Sequence, residues 1–168
     1  MTMERHIRIY DVGLNTEAAS TVVGAGNVPM IEGADIELWQ SFVARAGAGQ
    51  RGIPFYPPDG ESLPRFFVLP APPAAGDSDV DWDAIAEGFF KGNEIDECRV
   101  DGARHPLMHK TPTSDCVILL EGRVGLVLDH GEPLEIRPFD VVRQSGTHHA
   151  WINLGPGPAL LISLMHGT

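Results

Sequence analysis

The chain has 168 residues, a formal net charge of −11 and 43% hydrophobic residues. A chain this acidic is not expected to bind nucleic acid, whose phosphates need a patch of Lys and Arg, or an anionic membrane surface. It has only two cysteines, a charged N-terminal stretch and no apolar run of about 20 residues, so it is predicted to be one cytoplasmic domain without a disulfide framework or a membrane span.

Residues 1–69 are predicted to form short strands that extend a sheet. Apolar and polar residues alternate over 6–12 and, less regularly, over 35–44, and residues 65–70 form a short apolar run that ends at a proline. The Gly24-Ala25-Gly26 segment is interpreted as a turn. It does not have the pattern of a phosphate-binding loop, because no dinucleotide-binding or Walker sequence surrounds it.

Residues 70–93 are predicted to form a linker and a single outer helix. The linker, 70–79, is rich in Pro and Gly. Aspartates suited to an N-cap then precede apolar residues at helical spacing, and a Gly-Asn pair at 92–93 can end the helix. One face carries Trp82, Ile85, Ala86 and Phe89. This face is interpreted as packing on the body of the protein rather than binding a cofactor.

Residues 94–168 are predicted to form the core of a β-structure. Strands are expected at 115–121, 123–129, 133–137, 140–144, 148–153 and 159–165, with short turns between them. Many short strands at this spacing, with a single helix, are typical of a β-sandwich or barrel. The pattern excludes a Rossmann or P-loop protein.

Several polar residues of this region fall at positions that can share one face, because residues of equal parity in a strand point the same way. They are His109 and Thr111, Asp115 on the following strand, and His149, Trp151 and Asn153 on a later one. Two imidazoles and one carboxylate form a ligand set suited to Fe(II) and related divalent metals. Small barrels commonly hold one small ligand in their mouth.

Local patterns leave other interpretations open. His109 can be an exposed turn histidine, and Asp115 can cap its own turn. Cys116 follows Asp115 and is therefore expected to point the other way, into packing. The remaining histidines of the region are expected to have no ligand role: His105 and His148, which is expected to point outward, and His166, which is expected to be solvated.

The two segments that contain the candidate residues resemble the two motifs of the cupins. Residues 109–122 follow the first motif with the wording H-x-T-x-T-x-D and a closing glycine. Residues 144–153 follow the second with the wording G-T-x-H-A-W-x-N, and Pro138-Phe139-Asp140 is similar to the Pro-Gly-Asp turn that precedes it. The resemblance covers residues 102–165. It implies a single-domain jelly-roll β-barrel, with residues 1–69 as extra strands and 94–168 as the barrel core.

The resemblance also implies a site. It assigns one divalent metal (Fe, Mn, Zn or Ni) to His109, Asp115 and His149, in a pocket lined by Thr111, Gln144, Trp151 and Asn153. Three departures from the cupin pattern weaken the metal site. Thr111 stands where a second histidine is usual, Asp115 replaces a longer glutamate, and Gln144 replaces a proline.

Two functions follow from the resemblance as expectations. The first is a metal-dependent enzyme acting on a small oxygenated substrate, aromatic or a keto acid, by decarboxylation, dehydration, isomerisation or oxygenation. The second is a non-catalytic small-molecule-binding protein with a degenerate metal site, which Thr111 favours; a purely structural dimer is a third. Small cupins are usually homodimers, and the residues expected at such an interface are Trp39, Phe42, Phe66 and Phe67.

Overall fold

A computed structural model describes residues 6–29, 54–72 and 80–168 of the chain. The strands are β1 (His6–Leu14), β2 (Ser20–Pro29), β3 (Ser62–Leu69), β4 (Thr113–Glu121), β5 (Val124–Val127), β6 (Leu134–Ile136), β7 (Val141–Ser145), β8 (Ala150–Asn153) and β9 (Ala159–Gly167), with one helix, α1 (Trp82–Gly92), and a 3-10 turn (Asp96–Cys98). The mostly-β prediction with one helix is confirmed. The predicted strand 35–44, Trp39, Phe42 and most of the predicted linker lie outside the described residues.

The strands form two sheets. Six strands pair in the order β2-β1-β7-β4-β9-β3, and three pair in the order β6-β5-β8. Only the pairing of β1 with β7 is parallel within these two sheets. Each strand from residue 113 onward matches a predicted one, with ends that differ by at most two residues. The single-domain division stays a prediction.

The core lies between the two sheets. Side chains at alternate positions of β4, such as Val117 and Leu119, are buried and point toward Leu126 on β5. The full core cluster takes residues from both sheets: Val12, Val117, Leu119, Val124, Leu126, Leu128, Ile136, Val142, Trp151, Ala159 and Leu161. Each large apolar side chain buried in this way stabilises the fold by about 1.5–3 kcal/mol. The sandwich of inward-facing residues therefore fixes the register of every strand around the site.

Two turns of the second half depend on particular backbone conformations. Gly122 has a φ of 97°, and a Cβ at this position would lie 2.7 Å from the Cβ of Ala159. No larger residue fits there, so the glycine that closes the first motif is needed for the approach of the β4–β5 turn to β9. Phe139 takes the left-handed conformation, φ 71°, where the cupin pattern has glycine. Asp140 in the same turn is buried and pairs with Arg8, which ties β1 to β7.

β3 forms one edge of the six-stranded sheet, and its position corrects one prediction. Pro64 is tolerated within it because edge strands can lack a ladder donor. Phe66 points outward and is 66% exposed. Phe67 points the other way and packs against the core, so the prediction that it covers an interface is wrong. Adjacent residues of a strand cannot share a face.

β2 corrects another prediction, since Gly24-Ala25-Gly26 is part of a strand and not a turn. These residues pair with β1 at Asp11, Tyr10 and Ile9. The register of the pair shifts at Asp11 and Val12, and Gly24 lies so close that an added Cβ would meet the Asp11 carboxylate at 3.0 Å. The absence of a side chain at Gly24 allows β1 to lie close to β2 where the pairing is irregular.

Helix α1 begins at Trp82, directly after one of the aspartates predicted as an N-cap. The Asp81 carboxylate caps it by accepting a hydrogen bond from the Ala84 N–H at 2.9 Å. Ala86 and Phe90 are buried against Ile95 and Cys98, next to the 3-10 turn. The predicted packing face is therefore only partly correct, because Trp82 and Ile85 are 40% and 44% exposed.

Both cysteines, Cys98 and Cys116, are buried and unpaired. Cys116 is fully buried and points into packing, as predicted. None of the helices in the described ranges has the length and apolarity that a bilayer span requires. The cytoplasmic location stays a prediction.

Candidate functional site

A cavity of about 710 Å³ lies between the two sheets and α1. All seven residues predicted for the site line it: His109, Thr111, Asp115, Gln144, His149, Trp151 and Asn153. Apolar residues from β3 and α1 line the rest of it, notably Phe67, Leu69, Trp82, Ile85 and Phe89. The cavity thus has one polar end and an apolar body.

Strand pairing brings the polar residues together. Asp115 on β4 stands directly opposite Gln144 on β7. His109, just ahead of β4, pairs with His149, just ahead of β8, through two reciprocal backbone hydrogen bonds of 2.9 and 3.0 Å. The two imidazole rings lie 4.5 Å apart between centroids. Residues of both predicted motifs therefore meet at a single point.

Each imidazole is oriented by a backbone carbonyl. The Nδ1 of His109 lies 2.9 Å from the Leu107 oxygen, and the Nδ1 of His149 lies 2.8 Å from the Thr147 oxygen. A carbonyl oxygen can only accept, so both Nδ1 atoms carry the proton. Both Nε2 atoms are therefore left as acceptors, and His149 Nε2 accepts from the Gln144 amide at 3.0 Å.

Gln144 connects the imidazole pair to the carboxylate. Its Nε2 also donates to Asp115 Oδ2 at 3.3 Å. Within the described residues, no group of three or more His, Cys, Asp or Glu side chains is placed to hold a metal ion. The predicted ligands His109, Asp115 and His149 all line the cavity, and an amide is hydrogen-bonded to both Asp115 and His149. Their role as metal ligands stays a prediction.

Three buried polar atoms of this region have no hydrogen-bond partner: Asp115 Oδ1, Gln144 Oε1 and Thr147 Oγ1. Buried polar groups are usually paired, because an unpaired one costs roughly 1–3 kcal/mol. Asp115 and Gln144 both line the cavity. A molecule bound in the cavity can form hydrogen bonds with their unpaired oxygens.

Burial disfavours the charged form of each titratable group in the cluster. Desolvation raises the pKa of Asp115 to about 6, although Thr113 and Gln144 oppose the rise. Desolvation and the neighbouring His109 lower the pKa of His149 to about 3, and desolvation also lowers the pKa of His109. Near neutral pH, the imidazoles are therefore uncharged acceptors, beside a carboxyl that regains its proton once the pH falls to about 6.

The other predicted pocket residues have mainly structural contacts. The Thr111 hydroxyl lies 2.8 Å from that of Thr113. Trp151 packs in the core cluster and faces His149 edge-on at 6.2 Å. Asn153 donates to the Leu69, Pro70 and Gly157 carbonyls and accepts from the Gly155 N–H, so it joins β8 to the end of β3.

Other cavity residues were not predicted. Arg65, Phe55, Phe89 and His105 line the cavity, and Phe55 and Phe89 face His109 at 5.9 and 5.6 Å. Parity in β3 could have identified Arg65, since it shares a face with Phe67. His148 lies outside the cavity, 3.1 Å from Asp129, as predicted. His166 is only partly exposed and bonds Ser62 at 3.0 Å, so its predicted solvation is wrong.

Comparison with known proteins gives a partial match. No family model matches the chain. A segment of 47 residues is 45% identical to "Phomopsin biosynthesis cluster protein C'" and to "Phomopsin biosynthesis cluster protein D", both from Diaporthe leptostromiformis. This segment covers 28% of the chain and 25% of each relative, so the chain matches about a quarter of the length of these curated proteins.

The arrangement can bind and exchange protons with a small molecule. Unprotonated Nε2 atoms accept a hydrogen bond or a proton, and the Asp115 carboxyl, with a pKa of about 6, can donate or accept one. General acid–base catalysis needs groups whose pKa values lie near the operating pH. The two-histidine pair and Asp115 therefore supply polar recognition at one end of an otherwise apolar cavity.

The pKa shifts of Asp115 and His149 are opposite in direction, so the two residues are predicted to change the free energy of unfolding in opposite directions as the pH falls. Between pH of about 4 and 6, folded Asp115 holds a proton that the unfolded chain has lost, so its contribution to stability rises as the pH falls. Between pH of about 6.5 and 3, the unfolded chain binds a proton at His149 and the folded chain does not. The contribution of His149 to stability therefore falls as the pH falls. Each single proton changes the free energy of unfolding by about 1.4 kcal/mol per pH unit.

Asp115→Asn is expected to make the loss of stability between pH 6 and 4 steeper than in the wild type, and His149→Gln to make it shallower. Urea unfolding at several pH values measures both slopes. The exposed Asp59→Asn is the control and should follow the wild type. Parallel curves for the wild type and Asp115→Asn would show that Asp115 ionises as an ordinary aspartate.

Proposed function

We propose that the chain is a small-molecule-binding cupin that holds a compact, mostly apolar, oxygen-bearing molecule between its two sheets. The cavity of about 710 Å³ is the observation that supports this proposal, because its apolar walls end on a cluster of polar side chains. Ligand cavities of a few hundred Å³ with a small number of polar groups are typical of small-molecule sites. His109, Asp115, Gln144 and His149 are the groups that orient the ligand.

The jelly-roll barrel of the cupins is part of the proposal. It is supported by the order of the strands, by the meeting of residues from both motifs at His109 and His149, and by the close turn at Gly122. The names of the two partial relatives, which refer to a biosynthesis cluster, accord with a protein that handles a small molecule.

The polar end selects for oxygen-bearing ligands. A ligand hydroxyl can donate to the Nε2 of His109, and a carbonyl or hydroxyl can accept from a protonated Asp115. Leaving Asp115 Oδ1 and Gln144 Oε1 unpaired against a purely apolar ligand costs free energy. The site therefore prefers an oxygenated molecule to its hydrocarbon analogue.

Filling the cavity is expected to abolish small-molecule binding. The uncharged dye N-phenyl-1-naphthylamine, which fluoresces in apolar surroundings, is the probe. Ser163 is buried on β9 and lines the cavity, so Ser163→Phe places a ring in the binding space and should weaken dye binding at least about tenfold, equivalent to roughly 1.4 kcal/mol. Fluorescence titration measures the affinity.

The matched control is Ile162→Phe, which adds a similar ring on the opposite face of the same strand. It should bind the dye like the wild type. Equal affinity in Ser163→Phe and the wild type would place the dye elsewhere and remove the support for a ligand cavity.

The predicted metal-dependent enzyme is the second candidate function. One observation favours it: both imidazoles donate Nδ1–H to a backbone carbonyl, which is how ligating histidines are commonly oriented. The hydrogen bonds of Gln144 to Asp115 Oδ2 and His149 Nε2 oppose it, since a metal bound to either atom would have to displace the amide. The donor set does not fit the predicted three-residue centre, and the metal-free cavity is the stronger proposal.

Metal analysis separates the two candidates. Protein purified without a histidine tag is expected to contain well under one equivalent of Fe, Mn, Zn or Ni by mass spectrometry, and His149→Ala should not change this content. Nearly one metal per chain, lost in both His109→Ala and His149→Ala, would reverse the choice in favour of the metal-dependent enzyme.

We also propose that the protein is a homodimer in which a second copy covers the outward face of β3. Phe66 and Val68 on this edge strand are 66% and 60% exposed. Phe66→Asp is expected to give a monomer by light scattering at micromolar concentration, because a buried charge opposes association. The control is Val23→Asp at a residue that is 60% exposed on β2, the other edge strand of the sheet. A monomeric wild type would eliminate the dimer.

A further inference from the structure

Arg65 is the one Lys or Arg residue among the described residues that line the cavity. It lies on β3, paired with Ser163 of β9, on the face that also carries Phe67. Its Nη2 donates to the Pro54 carbonyl at 3.3 Å, and its guanidinium carbon lies 4.8 Å from the centre of the Phe55 ring. These contacts hold the cation at the cavity wall.

This cation has no acidic partner within the described part of the chain, although Asp and Glu outnumber Lys and Arg by 23 to 12 overall. Desolvation lowers the pKa of Arg65, in contrast to Arg8, whose pairing with Asp140 helps to raise its pKa. A partly buried charge that lacks an opposite charge nearby is unfavourable. An anion in the cavity would relieve this cost.

We propose that Arg65 binds an anionic group of the ligand, so that the natural ligand is an oxygenated organic acid and not a neutral molecule. This inference rests on the proposed small-molecule function of the cavity and names its ligand class. The guanidinium is suited to the task, because its planar donors match a carboxylate and it is more weakly hydrated than an ammonium group.

The position of Arg65 also sets the orientation of the ligand. Arg65 and Asp115 lie on the same face of the sheet, two strands apart, and their partners on β9 are Ser163 and Met165. At the usual strand and residue spacings, this places their Cα atoms roughly 12 Å apart. The acid group therefore binds at the β3 wall, away from the carboxyl of Asp115, which would repel it.

A single ring joins the two ends of the site. Phe55 contacts the Arg65 guanidinium and faces the His109 ring, 5.9 Å away between ring centres. The ligand that satisfies both ends has an acid group, an apolar body of about one or two rings, and an oxygen that reaches His109 or His149. Phe67 and Phe89 line the space that the apolar body occupies.

Two dyes with the same skeleton test the charge preference. 8-Anilinonaphthalene-1-sulfonate carries an anionic group, and N-phenyl-1-naphthylamine lacks it. The wild type is expected to bind the sulfonate more tightly. Arg65→Gln should weaken sulfonate binding about tenfold or more, the loss expected for a charge-assisted hydrogen bond, and change the affinity for the neutral dye less than twofold. Arg65→Lys should retain part of the difference.

Arg99→Gln is the matched control. Arg99 also lies over a phenylalanine ring, that of Phe90 at 5.5 Å, but it does not line the cavity. Its loss removes the same charge from the chain, and the affinities for both dyes should stay at the wild-type values. A tenfold loss of sulfonate affinity in this variant would attribute the effect to net charge and overturn the assignment of Arg65.

The remaining outcomes separate this inference from the function on which it rests. Sulfonate affinity that is unchanged in Arg65→Gln, with neutral-dye binding intact, would eliminate the anion site and leave the cavity function standing. Equal weakening of both dyes would assign Arg65 a structural role and also overturn the inference. If the wild type bound neither dye, the cavity function and the anion site would both fail.

Discussion

The two reciprocal hydrogen bonds between the backbones of His109 and His149 are the constraint on which the site depends. They join the segment before β4 to the segment before β8, some 40 residues later in the chain, and they set the imidazoles 4.5 Å apart. Backbone atoms make these bonds, so the pairing does not need a metal to hold it. Carbonyls at Leu107 and Thr147 then fix the tautomers, and both Nε2 atoms become acceptors.

A pair of uncharged imidazoles beside an easily protonated carboxyl is the result of this constraint. The two rings cannot both be protonated at such a distance in a dry environment, and burial raises the pKa of Asp115 to about 6. Gln144 then links the carboxyl to an imidazole by hydrogen bonds that a metal ion would have to displace. The replacement of a motif proline by Gln144 therefore changes the chemistry of the site more than the shorter side chain of Asp115 does.

The sequence predicted the meeting of the seven site residues because strand parity and motif spacing are local properties. Gln144 was placed in the pocket, but its bonds to Asp115 and His149 depend on how β7 pairs with β4, which spacing does not reveal. Arg65 and Phe55 were missed because they lie far along the chain from both motifs. The helix face was only partly predicted, since helical periodicity does not distinguish a side chain packed on the core from one that lines a cavity.

The two ends of the cavity are held by different contacts. The polar residues lie on or beside paired strands, so a change in the backbone of these strands would disturb the register of their neighbours. Trp82 and Ile85, by contrast, stand on α1, whose own buried contacts run through Ala86 and Phe90 to a separate cluster. Substitutions on this one helix can therefore reshape the apolar side of the cavity and leave the polar cluster in place. The shape of the cavity and its polar chemistry are in this sense set by separate parts of the fold.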